Sequence, residues 1–97
     1  MIVKKHFSQN RLILAACDAS LLDKKIENST ILLDLSSSFY KGEKTTKEEF
    51  IKLARQAFII NAVGQHVVNT LIEEKIIQKE DTKEVQGVPF VQVVFNT

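Results

Sequence analysis

The chain has no tryptophan, one cysteine, one proline and three glycines among its 97 residues. Each scarcity removes a class of explanation. A lone Cys17 cannot close an internal disulfide. Only His6 and His66 stand beside it as soft ligands, without the close pair spacing of a zinc site, so neither a metal nor a cofactor is expected. Gly42, Gly64 and Gly87 lie far apart, which leaves no glycine-rich loop to cradle a phosphate. The longest unbroken apolar run, Leu12–Cys17, falls far short of the roughly 20 residues that a membrane span needs. The segment Met1-Ile2-Val3-Lys4-Lys5-His6 lacks the apolar body and cleavage site of a signal peptide, so a soluble cytoplasmic protein is expected. The formal net charge is only +1, so no global field draws nucleic acid.

Hydrophobic residues make up 44% of the chain, enough for one modest core and one domain spanning 1–97. Ile2–Phe7 and Arg11–Cys17 read as strands around the polar break Ser8-Gln9-Asn10, with Asn10 the best candidate for a left-handed residue. Asp18 is placed to cap a short helix over 19–25 that turns Leu21 and Leu22 inward. Thr30–Leu35 reads as a third strand, and Gly42 as a positive-φ turn residue after Phe39-Tyr40-Lys41. Thr46-Lys47-Glu48-Glu49 has the form of a capping box. Phe50, Leu53, Ala54, Ala57 and Phe58 then recur at helical spacing, and Ile60, Val63, Gly64, Val67, Leu71 and Ile72 continue it on a second face. The expectation is a helical segment over about 46–77, either one bent helix or two meeting near Phe58–Asn61. A short strand near Lys83–Val85, a turn or bulge at Gly87-Val88-Pro89 and a last strand over Phe90–Phe95 complete the reading. Pro89 lacks an N–H and belongs at a strand's start or on an edge. The fold class is α+β, a small, mainly antiparallel sheet with the helical segment on one face.

No catalytic set stands out. Cys17 ends an apolar strand and reads as a small buried hydrophobe. Ser36–Ser38 lack a nucleophile-elbow pattern. Gly64 is the oddest residue, because glycine costs a helix interior roughly 1 kcal/mol relative to alanine. On a helix, Asn61, Gly64 and Gln65 share one face. Either that face is a recognition patch with close backbone approach at Gly64, or Asn61 bonds a loop carbonyl while Gly64 packs against the sheet.

The charge is uneven. Residues 1–11 carry Lys4, Lys5 and Arg11 without an acid, and 41–55 carry Lys41, Lys44, Lys47, Lys52 and Arg55 against three glutamates. If the two stretches meet, they form a local basic face; the alternative is ordinary solvated charge.

The order and spacing of several segments carry a family resemblance. They are Ala15-Ala16-Cys17-Asp18 with Leu21-Leu22, Phe39-Tyr40-Lys41-Gly42-Glu43, Asn61-Ala62-Val63-Gly64 with Val67-Val68, and Gly87-Val88-Pro89 with Gln92. Over nearly its full length the chain resembles an uncharacterised, chiefly archaeal family, domain of unknown function 424. The resemblance implies a compact α+β domain without established enzyme activity and a link to translation and RNA processing. Asp23 stands where the family tends to have glycine. Phe90 stands where histidine often follows the proline, so a role for that histidine does not carry over.

Together these readings lead to the expectation of a non-catalytic module on structured RNA or a ribosomal subunit. Lys4, Lys5, Arg11, Lys41, Lys44, Lys47, Lys52 and Arg55 would meet phosphates, with Tyr40 in close contact. Asp18, Gly42, Asn61, Gly64, Gly87 and Pro89 are the residues of structural or recognition interest. The alternative is a protein-interaction module or homodimer that uses the apolar helix and the Phe90–Phe95 strand.

Overall fold

The computed structural model describes residues 1–95; positions 96 and 97 of the expected domain lie outside the described residues. Two long hairpin strands, β1 (Ile2–Ser8) and β2 (Arg11–Cys17), open the chain. They pair antiparallel from Ile2↔Cys17 to Ser8↔Arg11. The connection is tighter than the sequence suggests. Ser8 remains in the strand, and Gln9 and Asn10 both take positive φ, 52° and 64°, as a two-residue loop matched to strand twist requires.

A single 3₁₀ turn (Ala19–Leu21) follows, in place of the expected helix over 19–25. Lys25–Glu27 (β3) and Leu32–Asp34 (β4) then form a separate two-stranded sheet, so the expected strand over 30–35 is present but shorter. β5 (Glu43–Lys44) pairs with β1. Helix α1 (Lys47–Gln56) starts where Thr46 accepts a hydrogen bond from the Glu49 amide at 3.1 Å, the threonine half of the expected box.

The segment over 46–77 is not one helical run. Chain geometry turns extended at Ala57 (φ −74°, ψ 141°), and Ile59–Val63 becomes β6 before α2 (Gln65–Glu73) begins. Ile59–Val63 reads as helical because both of its faces are covered and its period of two is hidden among apolar neighbours. Partners on both sides decide the outcome: β6 runs parallel to β2 and antiparallel to β8 (Val88–Val94). With β7 (Lys83–Val85) at one edge, the large sheet has the order β5-β1-β2-β6-β8-β7. Gln86 and Gly87, both at positive φ, make the tight β7–β8 turn. Pro89 is the second residue of β8, near its start as expected. Only the first part of β8 is covered by β7, through Val88, Pro89 and Phe90, so the strand is an edge only beyond Phe90.

Strand alternation divides the core in two. Val3, Leu14, Ala16, Ile60, Ala62 and Val91 face α1 and α2, packing on Phe50, Ala54, Val67, Val68 and Leu71. Their neighbours Ile2, Cys17 and Val63 face the other way and, with Val85, pack on Ile26 and Leu35. Leu21 and Leu22 do turn inward, against this second core. A sheet with one face under helices and the other partly under a small hairpin follows from this period of two. Among the described residues no helix is long and apolar enough to cross a membrane.

One junction ties the elements together. Asp18 does not cap the turn that follows it. Its Oδ2 accepts from the His66 amide at 3.0 Å and its Oδ1 from the Val67 amide at 2.9 Å, at the start of α2. Its own N–H donates to the Val63 carbonyl, and the Gly64 N–H donates to the Pro89 carbonyl at 2.8 Å. Gly64 lies between them at φ 122°, a region that side chains other than glycine's avoid. A Cβ there would stand 2.6 Å from Asp18 Oδ2. The close approach to Gly64 is therefore made by Asp18. Asn61 sits in β6 opposite Ala15 and Gln92 and shares no helix face with Gly64 and Gln65.

Gly42 also differs from expectation, because its φ is not positive. Its role is space: a Cβ would overlap the Val3 carbonyl and stand 2.8 Å from Lys4 Cβ.

The junction has measurable consequences. Gly64→Ala combines a φ penalty with overlap on Asp18 and should cost about 3 kcal/mol or more. Asp18→Asn keeps one acceptor for two amides and should cost about 1 kcal/mol; Asp18→Ala, which loses both, should cost about 2 kcal/mol. Urea unfolding midpoints measure all three, and a Gly64→Ala variant as stable as the parent contradicts this account.

Candidate nucleic-acid interface

The two basic stretches meet on the helical side of the sheet. In β1, Lys5 and Phe7 alternate with His6, so both fall on the face that Val3 presents to α1. The β1–β2 turn and the carboxyl end of α1 then bound an open groove of about 710 Å³. Lys5, Phe7, Asn10 and Arg11 line one side and Leu53, Arg55 and Gln56 the other, with Phe58 and Phe95 also exposed to it. Among the described residues no acid lines it. The Arg11 guanidinium lies 4.2 Å from the centre of the Phe58 ring, a cation–π contact that holds the charge over the groove. Phe7 is 69% exposed, the most exposed of the large hydrophobic residues.

Arg55 Nη2 also donates to Glu74 Oε1 at 3.1 Å. Both side chains are substantially exposed, and such pairs are worth about 0–1 kcal/mol. An incoming anion can therefore recruit Arg55 at small cost.

The remaining expected contacts scatter. Lys5 also lines a second groove of about 510 Å³ with Lys4, Lys41, Gly42 and Lys44, but Glu43 and Glu49 line it too. The Lys4 ammonium donates to the Ser38 carbonyl at 2.7 Å. Lys41 faces Asp23 at 3.6 Å. Lys47 and Lys52 are exposed on α1 and line neither groove. Tyr40 is no exposed loop aromatic. It packs against the second core, and burial pushes its hydroxyl pKa up, with Cys17 as the lesser cause. Its neighbour Phe39 stacks on His6 at 4.5 Å and meets Tyr40 edge-on at 5.1 Å. Asp18, Asn61, Gly64 and Pro89 belong to the sheet and its junction with α2, at the other end of β2 from the groove.

Sequence reasoning did not single out Phe7, Phe58 or Phe95. The signal for Phe7 was available: in an alternating strand it shares its side with Lys5. Phe58 and Phe95 gave no such cue, because their positions depend on the pairing of Phe58 with both Leu12 and Phe95 through backbone hydrogen bonds.

Cys17 has no exposed surface, and burial, helped by the Asp18 charge, pushes its thiol from the ordinary 9.0 to about 11. His66 lies on the exposed side of α2. Among the described residues no three His, Cys, Asp or Glu gather as a metal site.

The class these features define is a small α+β domain with, among the described residues, a six-stranded mixed sheet, two helices on one face and an aromatic groove without an acidic lining residue at the hairpin end. The chain belongs to the family described as Protein of unknown function (DUF424), whose model matches residues 6–95. A crystal structure of an uncharacterized conserved protein from Methanopyrus kandleri is similar to it, with a TM-score of 0.78 and 23% identity over 95% of this chain and 88% of that one. That likeness supports the fold. No curated protein sequence matches the chain.

The Cys17 environment gives a pH test. The folded thiol holds its proton to higher pH than the unfolded one, so its contribution to stability is whole below 9.0 and falls as pH rises from there toward 11. At pH 8 the native thiol should resist a disulfide reagent and react fully once unfolded. Rapid native-state labelling contradicts this burial.

Proposed function

We propose that this domain is a non-catalytic RNA- or ribonucleoprotein-binding module of the cytoplasm that docks on structured RNA, with a ribosomal subunit as the leading candidate. The observation that carries the reading is the groove beside the β1–β2 turn. It gathers Lys5, Arg11 and Arg55 from both basic stretches, without an acidic lining residue among those described, around exposed aromatic surface. Cations supply the affinity for a phosphate backbone, and aromatic faces supply contact to bases. Lys4, Lys41, Lys44, Lys47 and Lys52 are outlying cations in this reading, available to more distant phosphates.

A second reading keeps one specific observation. Beyond Phe90 the outer side of β8 is unpaired by β7, Val94 is 50% exposed, and a mainly apolar depression is lined by Ala54, Ala57, Ile76 and Phe95, with Arg55 at its side. That end of the sheet suits a protein partner or a second copy of the chain.

Salt separates the two. Binding of a fluorescein-labelled stem–loop RNA should weaken with a log–log salt slope of about −2, for three cations at roughly 0.7 each. Arg11→Ala should make that slope shallower by about 0.7. No binding at low salt, or binding indifferent to salt and to Arg11→Ala, removes the RNA reading. Self-association that persists at high salt and is lost in Val94→Lys supports the second.

A further inference from the structure

Phe7 needs a separate explanation. It projects from the helical side of β1 near the hairpin turn, with 69% of its surface exposed. Isolated exposed apolar residues are common on proteins. Phe7 is not isolated in this sense, because it lines the same groove as Lys5, Arg11, Phe58 and Arg55. The Arg11 guanidinium already lies over the Phe58 ring, 4.2 Å from its centre, and so holds a cation in the groove that Phe7 lines. The Arg55 charge stands across from the hairpin, held only by an exposed pair with Glu74.

Duplex RNA offers little to such a surface. Its bases are stacked inside the helix, and proteins meet it through phosphates and 2′-hydroxyls. An unpaired nucleotide offers an anionic phosphate and an apolar flat face together. That is the complement of a groove with cations at its rim and an exposed phenyl ring beside them.

We infer that the groove accepts an unpaired segment of RNA, with one base stacked on the exposed ring of Phe7 and flanking phosphates on Lys5, Arg11 and Arg55. This deepens, and rests on, the RNA-binding reading above. It assigns the discrimination between single-stranded and paired RNA to one side chain. Arg55 exchanges Glu74 for a phosphate on binding, and Arg11 stays over Phe58.

The test uses the whole chain with two probes, a labelled oligouridylate of about ten nucleotides and a blunt RNA duplex of equal length. The single strand should bind more tightly than the duplex. Phe7→Ala and Phe7→Leu should each weaken single-strand binding about tenfold, and Phe7→Tyr should preserve it, because only a ring offers a stacking face. Duplex binding should be unchanged by all three. Circular dichroism and urea unfolding of each variant establish that the exposed position leaves the fold intact. If both probes bind alike and Phe7→Leu binds like the parent, while Lys5→Ala and Arg11→Ala weaken both, the stacking assignment is wrong and the RNA reading stands. If neither probe nor the stem–loop binds at low salt, both are wrong.

Discussion

The Asp18 carboxylate takes the His66 and Val67 amides at the start of α2, and its own amide is given to the Val63 carbonyl. Through these bonds the end of β2 is fastened to the end of β6 and to the helix that follows it. The Val67 amide has most need of this acceptor, because Val67 is buried. A buried amide without an acceptor costs about 1–3 kcal/mol, a large share of the roughly 5–15 kcal/mol that holds a domain together. β2 and β6 are parallel neighbours joined by a long crossover that contains the small hairpin, β5 and α1. Local turn chemistry cannot set the register of such a pair. The Asp18 contacts, with Gly64 bonded to Pro89 on the next strand, fix it at one end.

This arrangement limits where function can lie. A helix amino terminus is a ready anion site, but at α2 the anion is the chain's own. The glycine that drew attention as a point of close approach is already approached, by Asp18. Asn61, on β6 between Ala15 and Gln92, is part of the sheet. The Asp18 junction lies at the carboxyl end of β2, and the cationic groove lies at its amino end, beside Arg11 and Leu12. A change in the groove can therefore leave the junction intact.

The parts legible in the sequence are those whose causes are local. The β1–β2 hairpin, the Thr46 cap of α1, the short strand at Lys83–Val85 and the start of β8 near Pro89 each depend on neighbours in the chain. The failures have distant causes. Ile59–Val63 is apolar at every position but Asn61, so its period is hidden, and its strand state is set by β2 and β8. Lys25–Glu27 pairs with Leu32–Asp34 on the strength of one buried residue, Ile26, which gives no pattern. Asp18 looks like a cap and is one, but of a helix 48 residues further on. In the candidate site, Lys5, Arg11 and Arg55 were visible as charges, and their company with Phe7, Phe58 and Phe95 was set by the tertiary fold.

The net charge of +1 is the strongest argument against a nucleic-acid partner, and geometry weakens it. Electrostatic interactions between exposed groups fade over about 8 Å at physiological ionic strength. A phosphate in the groove therefore responds mainly to the residues that line it, and those described are cationic or neutral. Asp18, Asp23, Glu27 and Asp34, the acids of residues 18–34, line no part of the groove, and Asp18 is spent on α2. Glu74 is the acid with a direct claim on the groove, through Arg55, and that exposed pair is weak enough for a phosphate to displace. A near-neutral chain can thus present a cationic surface wherever folding separates the two signs, and here the separation follows from the β1–β2 hairpin end and the carboxyl end of α1 lining one groove.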